Sequence, residues 1–194
     1  MKFRYLSNFF FIILITWSSS AFSVDITGSS NFTVVSFGSI TTTGSGGSAV
    51  TASGTIGNIT IDGTIQTENS HLINLVGATD NCGATAGDIT INGTARTTGI
   101  GRGLYLNDIC PNNIIIGSSG LLSVANTLAI HVAESDTNIR GDIINNGTIT
   151  AANGSTVALN SLFVTTFDNN GDLFGRQAYA VSGGGAAAIF DNSG

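Results

Sequence analysis

One nine-residue pattern returns along this chain at nearly constant intervals, and few folds can accommodate that. It reads Gly57-Asn58-Ile59-Thr60-Ile61-Asp62-Gly63-Thr64-Ile65, then Gly87-Asp88-Ile89-Thr90-Ile91-Asn92-Gly93-Thr94-Ala95, then Gly141-Asp142-Ile143-Ile144-Asn145-Asn146-Gly147-Thr148-Ile149. A looser copy runs from Asn113 to Leu121 with two extra residues in its turn, and fainter ones surround Gly38 and Gly171. The apolar residues alternate with polar ones, as in a strand. Asp62-Gly63, Asn92-Gly93 and Asn146-Gly147 read as turns, because these residue types tolerate positive φ. The turn glycines are Gly38, Gly63, Gly93, Gly120, Gly147 and Gly171, and the step from each to the next is nearly even. Strands repeated at such a period are the signature of a solenoid.

Each repeat also holds a later apolar stretch: Ala49-Val50, Leu72 to Leu75, Leu104 to Leu106, Leu128 to Val132, and Val157 to Leu159. A winding of about 25 residues cannot close a core alone, but stacked windings cover one another. The expected fold is all-β, a parallel β-helix of about six coils. Its inward column would hold Ile59, Ile61 and Ile65, then Ile89, Ile91 and Ala95, then Ile114 and Ile116. Leu104, Leu106, Leu128, Ile130, Val132, Val157 and Leu159 would form a second column. Asn145 and Asn169 fall at inward positions, which predicts either an asparagine ladder or a slipped register. Phe32, Val34 and Phe37 suggest a first strand or cap, and Gly44 to Ser48 a turn inside the first coil.

Composition narrows the surroundings. Met1 to Asn8 carries Lys2 and Arg4, Phe9 to Trp17 is almost unbroken apolar sequence, and the small residues Ala21 and Ser23 follow in an A-x-A-like arrangement. This reads as a secretory signal peptide over residues 1–23, with the β-helix over 24–194. An uncleaved membrane anchor is the alternative, but the run is far short of the ~20 residues a span needs. Beyond the leader there are four arginines, Arg96, Arg102, Arg140 and Arg176, and no lysine, in a chain of formal charge −6. That balance leaves no footprint for nucleic acid or anionic lipid. Only 9% of residues are charged, yet Ser, Thr, Asn and Gly supply enough polarity to make stable membrane insertion of the mature part unexpected.

The candidate sites are few. Cys82 and Cys110 each precede a turn glycine, Gly93 and Gly120, by almost the same interval, so they occupy nearly the same place in adjacent coils. Stacked strands bring such positions within disulfide reach, and an exported chain meets oxidising conditions. Arg140-Gly141-Asp142 is a known adhesion triplet, although Gly141-Asp142-Ile143 is also the repeat's own opening. Asp168 to Asp172 alternates oxygen-bearing residues like a calcium loop but lacks the flanking pattern of one, so an ordinary turn is expected. His71 and His131 have no triad partner at a recognisable spacing and read as surface residues. Asp62 and Asp88 lie in different columns, and four scattered arginines make a lyase for acidic polymers improbable. The residues therefore name no catalytic group, metal or cofactor.

The Gly-[Asp/Asn]-Ile-x-[Ile/Asn]-[Asn/Asp]-Gly-Thr-[Ile/Ala] repeats resemble the passenger domains of Gram-negative autotransporters, over about Phe32 to Gly194. The resemblance implies a right-handed β-helix exported by the Sec route and carried to the cell surface through a C-terminal barrel. It implies adhesion, aggregation or host contact, with host-cell or bacterial surface receptors as partners and no cofactor. No barrel follows here, and Gly194 comes about one repeat step after Gly171, inside a seventh coil. That predicts a truncated passenger, periplasmic if never joined to a translocator, rather than an irregular cap over 178–194. The related two-partner haemagglutinins carry Asn-Pro secretion motifs, whereas the single proline here is Pro111. The alternative function is a secreted β-helix carbohydrate-active enzyme.

Overall fold

Alternation decides where the strands form. Ile59 and Ile61 flank Thr60, and β-branched side chains favour an extended backbone with one face buried. In the computed structural model Ile59–Ile61 is a strand with both isoleucines buried. The structure describes residues 2–4, 23–29, 31–44, 47–77, 84–133, 139–159, 166–181 and 189–193. Ile89 lies opposite Ile59 and Ile91 opposite Ile61 in the next winding, and Ile114 and Ile116 continue both columns. Seven strands stack this way in strict chain order, from Phe32–Val34 to Ile189–Asn192, every pair parallel. The chain is a parallel β-solenoid, with no helix among the described residues.

Two further faces complete each winding. Beyond the turn glycine, Ser39–Thr42, Thr64–Thr67, Thr94–Thr97 and Leu121–Val124 form a second ladder. Ile65 and Ala95 therefore belong to this face rather than to the column of Ile59 and Ile89. The third ladder holds Ser23–Thr27, Val50–Ser53, Ile73–Val76, Leu104–Asn107 and Ile130–Val132. Thr148–Leu159 and Asp172–Val181 run round the corner without a break, which joins the second and third ladders into one twelve-stranded sheet. Lys2–Arg4 pairs with Ser23–Asp25 on its edge. A short pair, Ala84–Ala86 with Ile109–Pro111, adds a side that the repeat does not foretell.

The core is a bundle of columns. Ile40, Ile65, Ala95, Leu122 and Ile149 stack inside the second face, and Val50, Ile73, Leu104 and Ile130 inside the third. Each buried aliphatic side chain contributes about 2 kcal/mol. Phe37 is not among them. It is 90% exposed on the turn after the first strand, where Val35 O accepts from Gly38 N and swings the side chain outward.

Asn145 and Asn169 are buried without any slip, since Ile116 pairs with Asn145, Asn145 with Asn169, and Asn169 with Asn192. Asn145 Nδ2 donates to Asn169 Oδ1 at 2.6 Å, and Asn169 Nδ2 donates to Asn192 Oδ1 at 2.6 Å. The ladder alternative holds.

The turn glycines correct the sequence reading. Among the described glycines, positive φ occurs at Gly28, Gly44 and Gly54, not at Gly63, Gly93, Gly120, Gly147 or Gly171. What these five require is space. A Cβ on Gly93 would lie closer than 3.0 Å to the carbonyl oxygens of Gly63 and Asp62, and one on Gly171 would crowd Gly147 O in the same way. The reason is the stack itself: Thr94 N donates to Gly63 O at 2.8 Å, and Asp172 N donates to Gly147 O at 2.8 Å.

A second column explains the residue that opens each repeat. Asn58 N donates to Asn31 Oδ1, Asp88 N to Asn58 Oδ1, Asn113 N to Asp88 Oδ1, and Asp142 N to Asn113 Oδ1, at 2.8 to 3.2 Å. Each side chain satisfies a main-chain amide of the next winding where no strand can.

Candidate functional site

The third face gathers the chemistry. Its strands alternate, so Thr51, Asn74, Tyr105 and His131 share one outward column, in that order. His71, two residues ahead of its strand, adds another ring. His71 stacks on Tyr105 with centroids 4.8 Å apart and planes 24° apart, and His131 meets the same tyrosine at 5.5 Å and 36°. The Arg102 guanidinium carbon lies 4.9 Å from the Tyr105 centroid, a cation–π contact. Arg102 N donates to His71 Nδ1 at 3.1 Å, which makes that nitrogen the unprotonated acceptor.

Both imidazoles, expected to be plain surface residues, are half-buried. Burial lowers the pKa of His71, and Arg102 lowers it further. Burial, then Arg102, then His71 bring His131 down to about 4. At neutral pH the strip therefore presents one cation, two neutral imidazoles and a phenol. Asn74 Oδ1 and His131 Nδ1 are buried with no hydrogen-bond partner among the described residues. Such a set can hold a ligand by donor and acceptor bonds.

A pH dependence follows. His131 titrates near 4 when folded and near its ordinary 6.5 when unfolded, so the unfolded chain takes the proton first. Its contribution is fully present above about pH 6.5 and is lost as pH falls toward 4. Solvent screening of a half-exposed ring reduces the effect to about 1 kcal/mol. Denaturant unfolding at pH 7 and pH 4.5 should show a smaller loss for His131→Gln than for the native chain. Equal losses would exclude the ring as the cause.

The other sequence candidates lie elsewhere. Arg140 is exposed, but the triplet is fastened to the winding below: Arg140 N donates to Pro111 O, Gly141 N to Asn112 O and Asp142 N to Asn113 Oδ1. It is part of the stack rather than a protruding loop. Asp168 and Asn169 point to opposite sides of their strand, with Asn169 inside the ladder, so their oxygens do not converge. Asp62 and Asp88 do occupy different columns, bonded to Asn92 and Asn113 respectively.

Cys110 is wholly buried, and no cysteine among the described residues is free. Cys82 lies outside the described residues. The register sets Cys110 opposite Thr85, three residues past Cys82. Counting back from the turn glycines hid that offset, because the Gly117–Gly120 turn has two extra residues. The apolar run Phe9 to Trp17, expected to belong to a signal peptide, also lies outside the described residues.

Sequence reasoning missed Tyr105 and Arg102. Tyr105 precedes His131 by one repeat step, so aligning the copies would have stacked them. Comparison with protein-family models, curated proteins and solved structures finds no match to this chain.

Proposed function

We propose that this chain is the β-helical passenger region of an autotransporter-like protein, exported by the Sec route, with a structural and adhesive role in contact between cells or with a host. The observation that supports this most is the pair of interwinding devices, the opening Asn/Asp column and the glycine corners. Each finished winding carries the acceptors that fix the next. A chain delivered in extended form can thus fold by accretion, driven by burial alone. The repeats that resemble passenger domains are the same residues that build these devices.

Deleting the parent gene should abolish cell–cell or host-cell binding, and protease added to intact cells should remove the chain. Unchanged binding together with release of oligosaccharides from a polysaccharide panel would replace this reading with the carbohydrate-active enzyme.

Export also implies oxidation. Cys82 and Cys110 are expected to be joined, so alkylation should label neither cysteine before reduction and both after it. Two reactive thiols in the unreduced, denatured chain would exclude the bond.

A further inference from the structure

The winding through residues 166–181 cuts a corner that the two before it fill. Asp172–Val181 pairs with Thr148–Leu159 as far as Ala151 opposite Gly175, and resumes at Ser155 opposite Gln177. Three residues, Ala152, Asn153 and Gly154, thus face the single residue Arg176. A groove of about 450 Å³ opens where cover is missing, lined by Asn126, Leu128, Asn153, Ser155 and Arg176 among others.

Its lining is chemically specific. Asn126 Nδ2 donates to Gly99 O at 3.2 Å, and Asn153 Nδ2 donates to Asn126 Oδ1 at 2.8 Å, so an amide ladder climbs this corner. The ladder ends at Asn153, because the shortened winding offers Gly175 and Arg176 instead of another amide. The Arg176 side chain is exposed, and no carboxylate pairs with it among the described residues. One guanidinium without a carboxylate partner among the described residues therefore stands beside two amides, Asn153 held by Asn126 and Asn126 held by Gly99 O, and an aliphatic side chain.

We propose that this groove binds a sugar bearing one carboxylate, such as a sialic or uronic acid. The guanidinium takes the carboxylate in a two-pronged hydrogen bond. The Asn153 amide suits ring hydroxyls, and Leu128 suits the C–H face of the ring. The volume is in the range of small-ligand sites. The formal charge of −6 opposes a polyanion and favours an acid carried singly on a neutral glycan. This names a ligand class for the contact role proposed above and rests on that role for its meaning, though not for the binding itself.

The test uses the purified full chain with three probes, the methyl glycosides of N-acetylneuraminic acid, galacturonic acid and galactose, followed by ligand-observed NMR. The acids should bind with Kd about 1 mM and the neutral sugar about tenfold more weakly. Added salt should weaken acid binding. Arg176→Gln, an exposed change that leaves the melting curve unaltered, should erase the preference, and Asn153→Ala should weaken all three probes. Equal binding of the neutral glycoside would overturn the proposal. So would acid binding that survives Arg176→Gln, or acetate displacing the acids at equal concentration. Sugar binding by a chain never displayed on cells would remove the contact role and leave the groove. Cell contact that persists without any sugar binding would do the reverse.

Discussion

Gly93→Ala is expected to destabilise the solenoid by about 3 kcal/mol or more, lowering the melting temperature by roughly 6–12 °C. The new methyl would meet two carbonyl oxygens and a carbonyl carbon of the winding below, all main chain, and the nearest of them, Gly63 O, is held by an interwinding bond. Gly63 O cannot retreat without breaking the bond from Thr94 N. Gly44→Ala supplies the contrast. Its φ is +67°, yet nothing lies within 4 Å of the added carbon. That change should cost only the left-handed backbone penalty, roughly 1–2 kcal/mol. Thermal unfolding of both variants separates the two reasons for a glycine. If Gly44→Ala proves the more damaging, the stacked carbonyl is not what demands glycine at the corners.

Asn169→Ile should cost about 2–4 kcal/mol, although isoleucine is the residue that the same column carries two windings earlier, at Ile116. Asn169 is 2% exposed and sits in the middle of the ladder. It accepts from Asn145, and its own amide donates to Asn192 and to Gly171 O. Removing it takes away the acceptor nearest to a wholly buried Asn145 amide. The Asn145 amide nitrogen keeps only Asp172 O, at 3.2 Å, while its Oδ1 still accepts from Gly147 N. The second change, Asn145→Ile, should then cost much less in the Asn169→Ile background than alone, by about 1–2 kcal/mol, because the pair fails together. Additive losses in a double-mutant cycle would show that the two amides act independently.

The repeat made the architecture legible because a solenoid writes its geometry into sequence as a period. Ile59, Ile89 and Ile114 could be stacked by counting. Positions tied to one winding alone were less legible. The separate face of Ile65 depends on how sharply the chain turns at Gly63, and both geometries leave the same alternation. Glycine was read as a conformational choice, yet its cause lies a full repeat away in the neighbouring winding. The groove at Arg176 arises from two residues that are absent, and a search for motifs does not see a deletion. The His71–Tyr105–His131 strip is built from unlike residues at equivalent positions, so only alignment of the copies would reveal it.

The column Asn31, Asn58, Asp88, Asn113 and Asp142 has an implication for how such a gene can change length. Its two carboxylates are never neighbours, because Asn113 stands between them. Excising the winding that carries Asn113 would set Asp142 directly on Asp88, about 4.8 Å away, where like charges repel. Units of this coil are therefore not interchangeable modules. Recombination between copies is constrained by which acid would land on which, and the amide that separates two acids cannot be lost alone.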